Sequence, residues 1–244
     1  MTADLRHAGS LLGGRVRHDQ WATGHRTGVE PVFLAASIPA QAGELVLEAG
    51  TGSGAALLCL AARVAGIGGV GVERDAVLAG LAGQNIAANG FAGLTALAAD
   101  IATLRLDGAF DHAFANPPWH DEAGTASPDA AREAARRSAP GLLHVWTKQL
   151  GKHLRHRGTL TLVVAAASLP ACLDACAQAG CGSQAVLPLW PRAGMAAKLL
   201  LLRAIKGGRA PFRLLPGLVL HDADGRFTPA AEAILRDGAA LAFD

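Results

Sequence analysis

Asn116-Pro117-Pro118-Trp119 places an amide, two carbonyls without competing N–H groups and an aromatic plane within four residues. The prolines fix φ and make a rigid loop. The Asn116 side-chain carbonyl and the Pro117 backbone carbonyl can grip both hydrogens of a planar amino group. Such an exocyclic amine is a poor nucleophile, because its lone pair is delocalised into the ring. Holding both hydrogens pulls the nitrogen toward tetrahedral geometry and aims the lone pair at an electrophilic methyl carbon. The same acceptors stabilise positive charge as it develops on nitrogen. Trp119 can stack on a base turned out of its helix or loop. His120 reads as a polar loop residue, because a methylated amine loses its proton to water and needs no general base.

A second candidate lies upstream, in Leu47-Glu48-Ala49-Gly50-Thr51-Gly52-Ser53-Gly54. Glycines between a strand and a helix allow a sharp turn and let a ligand touch the backbone, while free helix N–H groups face that ligand. Glu73 closes the next strand, where a carboxylate can accept both hydroxyls of a ribose. Gly50-x-Gly52-x-x-Ala55 also satisfies the dinucleotide fingerprint, so the glycines alone leave the cofactor open. Glu48 favours a different ligand. The loop that binds S-adenosylmethionine (SAM) commonly carries an acid there, to meet the cofactor's ammonium directly or through water, whereas a pyrophosphate would be repelled. Asp100 ends the third strand and could bond an adenine amino group or cap a helix before Ile101. The candidate cofactor-binding residues are Glu48, Gly50, Thr51, Gly52, Ser53, Gly54, Glu73, Asp100 and Asn116.

The elements that must hold these loops alternate. Strands are predicted over Leu45–Leu47, Gly69–Val72, Leu94–Ala98, His112–Ala115, Leu160–Val164 and Leu199–Ala204. Helices are predicted over Val29–Ile38, Ala55–Val64, Asp75–Ala88 and Ala171–Ala179, with another starting at Ser127-Pro128-Asp129. A long helix after Pro140 carries Leu142, Trp146, Leu150 and Leu154 on one face until Gly158 stops it. This alternation predicts an α/β fold, doubly wound around a mostly parallel sheet with helices on both faces. Residues 1–43 read as an N-terminal extension packed on a core of 44–206, and 207–244 as a C-terminal tail of the same domain. Asp222-Ala223-Asp224-Gly225 resembles a calcium loop but has its glycine too early, so it reads as a turn.

Composition excludes several classes. Of 244 residues, 51% are hydrophobic and 17% charged, which excludes disorder over most of the chain. The longest weakly charged stretch, Gly158–Pro191, is broken by Pro170, Gly180, Gly182 and Pro188, so no membrane span is expected. The N-terminus lacks an apolar leader, and a cytoplasmic location is expected. Cys59, Cys172, Cys176 and Cys181 lack metal-site spacing and read as small buried thiols; no metal is expected. The net charge of +2 is uninformative, but from Arg132 to Arg157 seven basic residues face one acid, Glu133. Arg132 and Arg136 form one pair. Lys148, Lys152 and Arg155 fall at i, i+4 and i+7, which predicts one helical face able to contact RNA phosphates.

At these residues the chain resembles the class I SAM-dependent methyltransferases with an N/D-P-P-F/Y/W motif. More closely it resembles the bacterial tRNA (adenine-N6)-methyltransferase family of the valine-tRNA type. Gly28-Val29-Glu30-Pro31-Val32-Phe33-Leu34 stands where that family has a G-T-D-G-I-L-L-like helix, with Glu30 for its Asp and Pro31 for its second Gly. Ser127-Pro128, Arg132-Glu133-Ala134-Ala135-Arg136 and Phe227-Thr228-Pro229-Ala230-Ala231-Glu232 are similar to further family stretches. The resemblance implies SAM as cofactor and RNA, specifically tRNA, as partner, with a monomer expected. It implies Asn116, Pro117, Pro118 and Trp119 as the catalytic loop, and Trp119, Arg132, Arg136, Lys148, Lys152 and Arg155 on the substrate side.

Glutamine-N5 methyltransferases use the same loop on an amide, but usually with an N-terminal recognition domain for which 43 residues seat too little chain. Guanine-N2 rRNA methyltransferases often duplicate the sheet domain, and no second glycine loop exists here. A non-catalytic RNA-binding domain would not need an intact loop and Asn116. An NAD-type oxidoreductase leaves Asn-Pro-Pro-Trp unexplained.

Overall fold

The computed structural model describes residues 6–22, 26–117 and 141–243. The described residues begin with short strand pairs: β1 (Arg6–His7) with β4 (Gln20–Trp21), and β2 (Ser10–Leu11) with β3 (Val16–Arg17), all antiparallel. Helix α1 (Glu30–Ser37) follows, with Pro31 in its first turn where no N–H bond is lost. Then come β5 (Leu45–Ala49), α2 (Ala55–Arg63), β6 (Gly68–Glu73), α3 (Ala76–Ala88), β7 (Leu94–Ala98) and β8 (Phe110–Ala115). Asp75 caps α3 by accepting from the Val77 and Leu78 amides, and Gly90 ends it at φ 70°. After α4 (Leu142–His153) the chain runs through β9 (Leu154–Ala165), α5 (Leu169–Gln178), β10 (Cys181–Trp190) and β11 (Leu199–Lys206). The short strands β12 (Arg213–Leu214) and β13 (Leu218–Val219) and helix α6 (Pro229–Asp237) complete it.

The main sheet has the order β12-β10-β11-β9-β8-β5-β6-β7, with β13 beside β10. From β7 to β9 all pairings are parallel, and β11 is the strand that runs against its neighbours. The doubly wound expectation therefore holds. Alternate residues feed two cores: Val46, Phe114 and Val163 pack with α1, α2 and α6, while Leu47, Ala113 and Leu162 pack with α4 and α5. The strands are buried on both faces, as covered parallel strands are. The four cysteines are free and buried in these cores. Burial pushes the Cys59 and Cys172 thiols up to about 12.

Two readings of the sequence change. The helix after Pro140 ends at His153 and Leu154 begins β9, so Gly158 lies within a strand. Leu154 faces the core from the strand, and the apolar spacing Leu142-Trp146-Leu150-Leu154 crosses an element boundary. Strand β10 has no counterpart among the predicted elements; Gly182 and Pro188 mask its period. Residues 207–243 are built into the body: Leu241 N–H donates to Ala36 and Arg213 to the Phe243 carbonyl. Asp222–Gly225 is a turn, with Asp222 accepting from the Asp224 and Arg226 amides. The helix expected at Ser127-Pro128-Asp129 lies outside the described residues.

Candidate active site

Sheet register assembles the site. Ala49 pairs with Val72 on one side and Ala115 on the other, and Glu73 pairs with Ala98. Gly50, Glu73, Asp100 and Asn116 thus leave adjacent strands at one carboxyl edge. Strand order reverses between β5 and β8, which is where doubly wound sheets open a ligand crevice.

The glycine loop is held from below. Gly50 and Thr51 N–H groups both donate to Val72 O, at 2.8 and 3.0 Å. Gly50, Gly52 and Gly54 take φ of 67°, 56° and 95°, the left-handed region that L side chains resist. A Cβ on Gly52 would meet nothing within 4 Å, so this backbone faces open space at the start of α2. Trp146 of α4 lies against Gly50, where a Cβ would sit 2.6 Å from its ring. Sequence periodicity marks Trp146 only as an apolar helix position; its contact with the loop needed the fold.

Glu73 is bonded to backbone on both oxygens: Oε2 accepts from Gly52 and Oε1 from Asp75, each at 3.0 Å. Each oxygen keeps a further lone pair, so the carboxylate can still accept two ribose hydroxyls. Glu48 is placed differently from expectation. It is 3% exposed beneath the loop, and its Oε2 accepts from Thr51 Oγ1 at 2.6 Å. Burial raises its carboxyl from 4.5 to about 7, against the lowering effect of Thr51 and the Leu57 amide. Glu48 and Thr51 brace the loop here instead of lining its open side. Asp100 is exposed and caps a turn through the Ala102 amide at 2.8 Å.

Ser53 is also occupied, by a partner that no sequence motif announces. His18, 1% exposed, contacts Ser53 Oγ through Nε2 at 2.8 Å. Asn85 Nδ2 donates to Ser53 O and Asp19 O, and Asn85 Oδ1 accepts from the Asp19 amide. Asn89 brackets Arg17 in the same way. The N-terminal arm is thereby fastened over α3 and onto the glycine loop. Burial lowers the His18 imidazole to about 4, opposed by Asp19.

On the substrate side, Asn116 and the buried Pro117 directly follow β8, while Pro118, Trp119, Arg132 and Arg136 lie outside the described residues. Lys148 and Lys152 are exposed on α4. Arg155 does not share their helical face, because it lies on β9, which starts at the amino edge of the sheet where α4 ends. There it pairs with Glu44 at 3.3 Å and with Asp111 at 2.5 Å, so its charge is already matched. Among the described residues no group of His, Cys, Asp or Glu is arranged to hold a metal, and no helix is long and apolar enough to cross a membrane.

A glycine cradle at a helix start, an acid on the neighbouring strand and Asn-Pro one strand away are the arrangement expected for a methyl-donor site. A model of the methyltransferase small domain family matches residues 30–171. The chain belongs to that family. It is a class I SAM-dependent methyltransferase, and the open face at Gly52 with the remaining lone pairs of Glu73 suits that cofactor. No curated protein matches the methyltransferase in sequence. Solved structures share its fold. A protein from Agrobacterium tumefaciens described as a predicted O-methyltransferase superposes with TM-score 0.71 at 24% identity, covering 86% of this chain and 97% of its own. The 16S rRNA N2 methyltransferase RsmC of T. thermophilus, in complex with AdoMet and guanosine, gives 0.57 at 22% identity, covering 84% of this chain and 52% of its own. A TehB-like SAM-dependent methyltransferase from Corynebacterium glutamicum gives 0.53 at 16%, covering 76% and 91%.

Proposed function

We propose that this methyltransferase transfers a methyl group to the exocyclic N6 of an adenine in RNA, specifically tRNA. The observation that carries the reading is the register: Asn116-Pro117 leaves β8 beside Gly50, which leaves β5. SAM, when bound, supplies an electrophilic methyl on a positively charged sulfur. Asn116 Oδ1 and the Pro117 carbonyl hold the two hydrogens of the amine and direct its lone pair at that methyl. Transfer to the amine so held would cost SAM its S–CH3 bond, whose electron pair would stay with sulfur, and the surplus proton on nitrogen would leave to water. Trp119 stacks on the extruded base. Arg132, Arg136, Lys148 and Lys152 contact backbone phosphates, while Arg155 is set aside by its acidic partners.

RsmC, described with guanosine bound, also concerns a purine, and its N2 is an exocyclic amine of the same electronic kind. Guanine N2 is therefore the second reading. Methyl-labelled SAM incubated with tRNA, rRNA and a release-factor protein in turn tests the substrate class. Label in tRNA supports the proposal, label in rRNA favours the second reading, and label in protein glutamine overturns both.

A further inference from the structure

At the amino edge of the sheet, away from the methyl-donor crevice, lies a cavity of ≈ 450 Å³. Arg157, Arg209 and Arg213 line it together with Ser183, Gly207 and Gly208, and no acidic side chain does. Among the described residues, neither Arg157 nor Arg209 has an ion pair or a side-chain hydrogen bond. Arg213 donates to the Phe243 carbonyl and keeps other guanidinium hydrogens free to donate. The nearby acids Glu44 and Asp111 are committed to His112, Arg155 and the Leu45 amide.

The backbone around this cavity is unusual. Three described residues other than glycine take positive φ, and two of them, Arg157 at 65° and Ser183 at 50°, line it. Each lies where strand register shifts: Arg157 between Leu154 and Thr159 on β9, Ser183 between Gly182 and Ala185 on β10. Bulges re-aim side chains, and left-handed L residues persist only where the surroundings impose them. The Gly208 backbone passes so close that a Cβ there would meet Ser183 Oγ at 2.5 Å. Two distorted strands and a tight glycine approach thus meet where three arginines line one cavity. Guanidinium forks match phosphate oxygens in bidentate geometry, and the cavity's size falls in the range of small-ligand sites.

We propose that this cavity binds a phosphate group, separate from the methyl-transfer site. Arg157 stands eight residues before the carboxyl end of β9, about 26 Å at ~3.3 Å per residue. An RNA in contact with both sites must span that distance. The RNA source of the phosphate rests on the function proposed above; the site itself does not.

The test uses the parent and the double variant Arg157→Gly with Arg209→Gln. Glycine removes the side chain and relieves the positive φ, so a purely structural Arg157 would leave ligand binding untouched. Titration with inorganic phosphate, followed by the guanidinium Nε–H resonances of Arg157 and Arg209, should show saturable shifts in the parent. The double variant should keep its Tm and SAM affinity while binding tRNA at least about tenfold more weakly. Its slope of log K against log salt should be shallower by about 1.4, for two contacts. Phosphate shifts with unaltered tRNA affinity would assign the site to a free phosphate. The same shifts in a parent that binds no tRNA would leave the site standing and sink the RNA function. If phosphate moves neither resonance and tRNA affinity is unaltered, the proposal is overturned.

Discussion

Asn116 is the residue to which the proposed function assigns the amine, and the sheet register places it one strand from Gly50. Asn116→Ala is expected to leave SAM affinity nearly intact while lowering kcat by roughly 10²-fold or more, as loss of a transition-state hydrogen bond does. Single-turnover kinetics with calorimetry would check that split. Glu48 supplies a different test. With its carboxyl raised to about 7, the folded protein holds a proton between pH 4.5 and 7 that the unfolded chain has released. Its contribution to stability is therefore present below pH 4.5 and is lost as pH rises through 7. Glu48→Gln should accordingly be more stable than the parent at pH 8, by as much as about 3 kcal/mol, and close to it at pH 4.5. His18, lowered to about 4, acts in the opposite sense, contributing above pH 6.5 and losing that contribution as pH falls. Melting curves of parent and variant across pH 4.5 to 8 isolate the Glu48 part. The acid was legible in the sequence at position 48. That it lies under the loop was not, because burial depends on Thr51 and α2 packing above it.

The strand–loop–helix unit from β5 to α2 is the proposed cofactor cradle, and its glycines differ in what surrounds them. Gly52→Ala should cost only the left-handed strain of roughly 1–2 kcal/mol, since no atom lies within 4 Å of its Cβ. The methyl group would nevertheless stand in the cradle and weaken SAM by about tenfold or more. Gly43, with φ 85° and equally open surroundings, is the control: Gly43→Ala should show the strain without the loss of SAM. Equal loss of SAM in both variants would contradict the cradle. Elements of this unit were legible because strong periods and glycine punctuation coincide there. Where they conflict, the sequence misleads. The α4–β9 junction carries helical spacing through Leu154, yet pairing of Leu154 with Phe110 makes it strand. Arg155 went with it, from a helical face to an ion-paired strand.

Across the whole molecule, contacts far apart in sequence tie the N-terminal arm to the glycine loop. Asn85 is buried at 1% exposure and bridges Ser53 to Asp19. Asn85→Ala would leave those carbonyls and the Asp19 amide short of a partner, a cost of about 1–3 kcal/mol. Hydrogen exchange at residues 16–19 should accelerate more than at β5 if the arm is held this way. No local signal announces such a clasp, since neither Asn85 nor His18 belongs to a motif. The fold class was readable from alternation, and the two candidate loops stand out in the sequence by their glycines and prolines. The acceptor is where a resemblance had to carry the reading, and it is the claim most open to direct measurement. Nucleoside mass spectrometry of tRNA treated with this protein and SAM should show new N6-methyladenosine, absent when Asn116→Ala replaces the parent. New N2-methylguanosine, or no modified nucleoside alongside methylated protein glutamine, would contradict it.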